Sequence, residues 1–178
     1  MTHRKTLREI AFDSHGVVTV PTAAAAGVPA VEVRKLAARG ALTRIGHGVY
    51  LMNEAPIDDL TEFALAVALA GEDAVLVADS VLAAHDLAQV NLRRIRVASG
   101  RRVRKHLPES VELIHQTIPT EDREDIEGIP AMRIVAAIFA SRDRVMSSRL
   151  VDAARVASAR GLMDHAEAET VIAELQNA

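Results

Sequence analysis

Apolar and polar positions along the first fifty residues change period twice. Leu7, Ile10, Ala11 and Ser14 step at i, i+3, i+4 and i+7, which predicts a helix with one inward face ending near Gly16. In "VVTVPTAAAAGVP", Thr19 is placed to cap a second helix, since its hydroxyl can accept from the free amides of the first turn. Pro21 suits that turn because its missing N–H would have lacked a partner there, and Gly27 can take the positive φ of a helix stop. Pro29 opens a third helix, "PAVEVRKLAARG", closed by Gly40. Val33, Leu36 and Ala37 form its inward stripe; Ala30, Val31, Arg34, Lys35 and Ala38 face outward. Next, "LTRIGHGVYLM" reads as two short strands, about Leu42–Ile45 and Val49–Met52, joined at a tight turn with His47 between Gly46 and Gly48.

Three short helices, the second and third separated by a Gly-containing turn, make a helix-turn-helix. The hairpin that follows makes it a winged helix, with a small basic finger as the wing. Small Ala30 and Val31 would let the third helix enter a major groove, and Arg34 and Lys35 would reach guanine edges or phosphates. Arg44 and His47 at the wing tip would meet flanking phosphate or the minor groove. Thr19 and Arg39 complete the candidate DNA-binding set. A winged helix also serves as a protein-interaction module, and that reading stays open.

The polar stretch "NEAPIDDL" (53–60) reads as a linker, dividing the chain into a winged-helix domain, 1–52, and an α+β domain, 53–178. Leu60, Phe63, Ala64, Val67 and Ala68 predict a helix up to Gly71. "AVLVADSVLAAHDLA" predicts a short apolar run and a helix capped by Asp79 or Ser80. "NLRRIRVASGRRVRKHL" has strand character and then an Arg-rich turn, and "SVELIHQTI" is another strand. After an acidic loop, "TEDREDIEGIP", helices are expected over about 131–141 and 143–160, with Gly161 closing the latter. Asp164 and Glu167 have the spacing of a capping box for a last helix. The fold class expected is α+β: a winged helix followed by a small sheet with C-terminal helices packed on it.

Composition narrows the function. The 178 residues are 49% hydrophobic and 25% charged, which fits a folded chain. There is no apolar run of about 20 residues and no basic-then-apolar leader, so a cytoplasmic location without membrane contact is expected. No cysteine is present, which excludes disulfides, thiol catalysis and the common structural zinc sites. Aromatic residues at 2% argue against stacking platforms for single-stranded nucleic acid. The net charge of −3 conceals a split: residues 1–51 carry +4, leaving −7 for the rest. A basic head on an acidic body suits a polyanionic partner. The body holds one basic run, Arg93, Arg94, Arg96, Arg101, Arg102, Arg104 and Lys105, a candidate second electrostatic surface or a solvated strand face.

Catalysis is not expected. Ser80, His85 and Asp86 could be imagined as a triad, but Ser80 and His85 are five apart and do not share a helix face, and nothing predicts a strained strand–turn–helix elbow at that serine. Glu121, Asp122, Glu124, Asp125 and His115 lack any recognised metal-ligand spacing, and no phosphate-binding glycine motif is present. No cofactor or metal is expected.

The stretch "T…AAAAGVP…VRKLAARGALTRIGHGVYLM" resembles the AbiEi-like antitoxins of type IV toxin–antitoxin systems through Gly27, Leu36, Gly40, Leu42, Arg44, Gly46, Gly48, Val49 and Tyr50. "DSVLAAHDL" (79–87), "IRVASGRRVRK" and "GIP" (128–130) follow in the order expected for the family's body. The resemblance implies a non-enzymatic antitoxin that represses its own operon by binding inverted repeats in promoter DNA. It also implies a role against a nucleotidyltransferase-like toxin, and leaves direct contact with that toxin open. A monomer or weak dimer is expected. Two other readings stand beside it: a stand-alone winged-helix regulator whose body binds a ligand or protein, and a metal-dependent enzyme.

Overall fold

The computed structural model describes residues 2–177 of the chain. It is an α+β protein that divides into two compact units. The first runs to Glu72 and takes in Val103–Leu107; the second holds Asp73–Arg102 and the chain from Pro108 onward.

In the first unit, helix α1 (His3–Phe12) is followed by strand β1 (Val17–Thr19), helices α2 (Val20–Ala25) and α3 (Ala30–Ala38), the hairpin β2 (Leu42–Gly46) and β3 (Val49–Met52), and helix α4 (Thr61–Ala70). The strands form an antiparallel sheet in the order β1-β3-β2. Its two faces are both covered. Val18, Leu42, Tyr50 and Met52 pack with Leu7, Ala11, Ala23, Val28 and Val33 of the three helices. The alternate residues Val17 and Val49 pack with Leu69 of α4, joined by Leu51, Leu65 and Leu107. A strand buried on both faces reads as the unbroken apolar run "VYLM" rather than as alternation.

The compact unit therefore extends past the 52/53 division expected from the sequence. The stretch 53–60, expected as a linker, is a clasp. His15 Nδ1 lies 2.8 Å from Asp58 Oδ2. The Thr61 hydroxyl accepts the Asp58 N–H and donates to the His15 carbonyl, each at 3.0 Å. Burial works upward on the Asp58 carboxyl, but the His15 hydrogen bond, the Leu60 N–H and Thr61 outweigh it and hold it below its ordinary range.

The second unit is built on a five-stranded mixed sheet. In chain order its elements are β4 (Val75–Leu76), α5 (Asp79–Ala84), β5 (Ile95–Ser99), β6 (Val111–His115), β7 (Arg123–Ile126), β8 (Ile129–Met132), α6 (Ile134–Ala140), α7 (Ser147–Ala159) and α8 (His165–Asn177). The sheet order is β6-β5-β4-β8-β7, parallel at β5–β6 and β4–β8 and antiparallel elsewhere. Leu76, Val81, Leu82, Val97, Ala131, Ile138 and Leu150 are buried in this unit.

Three local expectations are corrected here. The acidic stretch is no loop: it folds into the β7–β8 hairpin, and the next helix begins at Ile134 rather than about 131. β7 is an edge strand that buries only Ile126, so its exposed acids mask the strand pattern while keeping the edge charged. Neither Asp79 nor Ser80 caps α5; both are buried inside its first turn, and Ala78 occupies the cap position at φ 53°, ψ −134°. The expected Asp164–Glu167 box is diverted, because Asp164 accepts the His165 N–H at 2.9 Å while Glu167 pairs with Arg133 at 3.0 Å.

Candidate nucleic-acid interface

α2 and α3 are set by local chemistry. The Thr19 hydroxyl accepts the Thr22 N–H at 3.2 Å, and the Thr22 hydroxyl accepts the Thr19 N–H at 3.1 Å, a reciprocal cap. Thr19 is thus engaged inside the fold, a use distinct from the DNA contact expected of it. Gly27 at φ +79° ends α2, buried Val28 anchors the turn, and Pro29 starts α3 from an extended conformation.

Because α3 buries Val33 and packs Leu36 and Ala37 on the core, its other side is presented outward. Val31, Arg34, Lys35, Ala38 and Arg39 are exposed and Ala30 is half-buried. Residues 31, 34, 35 and 38 stand at i, i+3, i+4 and i+7, so an apolar tip and two cations share one stripe. Val31 is 45% exposed in the first turn of the helix. Among the described residues, no hydrogen bond or ion pair is found for the side chains of Arg34, Arg39 or His47. Lys35 differs: its Nζ lies 2.8 Å from Glu32 Oε1, and this bond is the main cause holding the Glu32 carboxyl below its ordinary range.

The hairpin corrects the picture of a projecting finger. β1 pairs with β3 as far as Thr19↔Val49, and the Gly48 carbonyl accepts the Val20 N–H at 2.9 Å. The turn therefore ends level with the start of α2. Gly48 holds φ +72°, which an L side chain resists. Arg44 sits opposite Tyr50 on the edge strand, so its side chain leaves from the sheet face that carries the helices. Its Nε lies 3.3 Å from the Gly46 carbonyl, which steadies an exposed guanidinium.

Residues 5–53 match the AbiEi antitoxin family of transcriptional regulators. The match begins within α1 and ends just beyond β3, so it takes in the helix-turn-helix and the hairpin. No curated protein matches the chain. The AbiEi-like segment is therefore the part of the molecule that carries the exposed α3 stripe, Arg44 and His47.

The members of the body's basic run differ in their surroundings. Arg96 is drawn inward: Nη1 lies 2.7 and 2.6 Å from the two Asp79 oxygens, and its backbone N–H donates to Ser80 Oγ at 2.7 Å. Arg93 and Arg94 precede β5 while Arg101 and Arg102 follow it, so about 17 Å of strand separates the pairs. Arg104 and Lys105 belong to the first unit, where Leu107 packs on Val17, Val49 and Leu69.

Ser80 is fully buried and serves the Arg96 amide, while His85 Nε2 faces Glu124 Oε1 at 3.3 Å. A strained strand–turn–helix elbow lies two residues before that serine, where β4 leads through Ala78 into α5. Its apex is an alanine, which has no nucleophile. Among the described residues, no group of three or more His, Asp or Glu is placed to hold a metal ion. No helix among them is long and apolar enough to cross a membrane.

Proposed function

We propose that the protein is an antitoxin and autorepressor that reads promoter DNA with α3 and counters a nucleotidyltransferase-type toxin. The observation that carries this reading is the exposed Val31–Arg34–Lys35–Ala38 stripe on the third helix of a segment matching AbiEi regulators. Arg34 would read a guanine edge, and Val31 and Ala30 would meet the groove floor, where thymine methyl groups are available. Arg44, His47 and Arg39 would hold the backbone and so set register without reading sequence. Thr19 would act indirectly, by fixing the start of α2. In this reading the operator is double-stranded DNA with inverted repeats.

The test is a titration of the intact protein against its own upstream region and a random duplex over a range of salt. Neutralising about six phosphates gives a log–log slope of about −5. Salt-independent binding, or no preference for the upstream region, would count against the proposal. The family match ends before the second unit, and this favours one other reading: a regulator whose second unit senses a ligand. Growth rescue during expression of a neighbouring nucleotidyltransferase separates the two, because a pure regulator gives none.

A further inference from the structure

The first turn of α1, one side of α3 and Asn53 and Glu54 beyond β3 line a cleft of about 610 Å³. Four basic side chains converge on it: His3, Arg4, Lys35 and Arg39. Two carboxylates stand among them. Glu32 engages Lys35 at 2.8 Å and lies 3.8 Å from His3 Nδ1, while Glu54 is bonded to Arg4. The side chains in these pairs range from 28% to 58% exposed, so each pair contributes little to stability. Stability therefore does not account for two acids inside a cationic cleft.

Position does. Lys35 lies both on the exposed stripe of α3 and on the cleft wall. A duplex whose major groove receives α3 brings one sugar–phosphate strand along the flank of that helix, and this flank is the cleft. The volume accommodates a nucleotide-sized group. Each carboxylate presents its oxygens to a cation as a phosphate would.

We infer that this cleft is a seat for the DNA backbone, and that Glu32 and Glu54 occupy Lys35, His3 and Arg4 in the free protein and must yield them to phosphate, while Arg39 stands open to it. This rests on the DNA-binding reading given above. The exchange replaces a carboxylate–cation pair by a phosphate–cation pair and leaves the acid beside a like charge. It weakens every duplex alike. The sequence-independent part of binding is thereby held down while base reading by Arg34 is untouched, which raises the share of affinity that depends on sequence.

The experiment compares wild type, Glu54→Gln, Glu32→Gln, Arg4→Ala and the control Glu62→Gln against operator and random duplexes over a salt series. Glu62 is an exposed acid of the same unit, on α4 and outside the cleft, so its variant makes the same change in net charge. Glu54→Gln and Glu32→Gln are expected to tighten both duplexes by a common factor and to steepen the log–log salt slope by up to about one. Arg4→Ala is expected to flatten that slope by about one. Equal tightening by Glu62→Gln would show a net-charge effect and overturn the cleft. An unchanged slope in Arg4→Ala would do the same. Inorganic phosphate and a mononucleotide form a further arm, followed at Arg4 and Arg39 by NMR. Saturable binding of either, with duplex binding indifferent to the cleft variants, would assign the cleft to a small anion and overturn the inference. If wild type binds no duplex, the proposed function falls with it; if wild type binds normally and the cleft variants do not respond, this inference alone falls.

Discussion

Arg96 Nη1 meets both carboxylate oxygens of Asp79, at 2.7 and 2.6 Å, and its Nε lies 3.1 Å from Glu112 Oε2 without the angle for a hydrogen bond. The two side chains are 15% and 8% exposed, so the pair ties α5 to β5 inside the second unit. Removing one partner of a buried pair leaves the other uncompensated. Arg96→Ala is therefore expected to destabilise the second unit by about 3 kcal/mol. Arg94→Ala, a neighbouring exposed cation, should stay within about 0.5 kcal/mol. Urea titration followed by circular dichroism checks both, and equal effects would contradict the distinction drawn between them.

Under the proposed function, the roles of Arg34 and Arg44 are expected to separate by sequence dependence. Arg34→Ala should cost about 1–3 kcal/mol on the operator and relax base preference. Arg44→Ala should weaken operator and random duplexes by the same factor, because a phosphate contact carries little sequence information. Competition binding against a panel of single-base operator variants reads both quantities. A loss of preference in Arg44→Ala equal to that in Arg34→Ala would remove the assignment.

The clasp between the α1–β1 turn and α4 makes acid stability depend on Asp58. Its carboxyl lies below 3.8 in the folded chain, so it adds stability in full above 3.8, and that stability is lost as pH falls through the folded value. Asp58 is 49% exposed, so the effect is modest and screened by salt. Asp58→Asn should lower the urea midpoint near neutral pH and flatten its decline on acidification below about 4. A decline as steep in the variant as in the wild type would show that other carboxylates carry it.

Backbone and cap in the winged helix are open to a direct test of stability. Gly48→Ala places a side chain at φ +72° and should cost about 1–2 kcal/mol. Thr19→Ala removes the hydroxyl that accepts the Thr22 N–H and should cost about 1 kcal/mol. Thermal melts with near-neutral controls such as Ala38→Ser would show whether these two positions stand apart.

Under the proposed function, repression and toxin neutralisation are expected to be separable. Charge reversal at Arg101 and Arg102 alters exposed positions after β5 and should leave the winged helix folded. If the second unit counters the toxin through this end of the sheet, the variant fails in growth rescue while keeping operator preference. Full rescue by a folded variant would reduce these arginines to a solvated turn.

The helix-turn-helix was legible in the sequence because its signals are local. Thr19 caps a helix whose amides lie within three residues, Gly27 stops it at the next turn, and Val33, Leu36 and Ala37 define the inward side of α3 by period alone. Outward Arg34 and Lys35 followed from the same period. Tertiary structure decided what those signals do not contain. β1 is only Val17–Thr19, too short to be read without the strand it pairs with. Arg96 looked like one more surface cation until the fold brought Asp79, seventeen residues away, against it. The stretch 53–60 looked like a linker until Thr61 reached the His15 carbonyl across forty-six residues. Periodicity and capping act over one or two turns of chain, whereas the pairing of a charge and the covering of a second sheet face depend on residues that only packing makes neighbours.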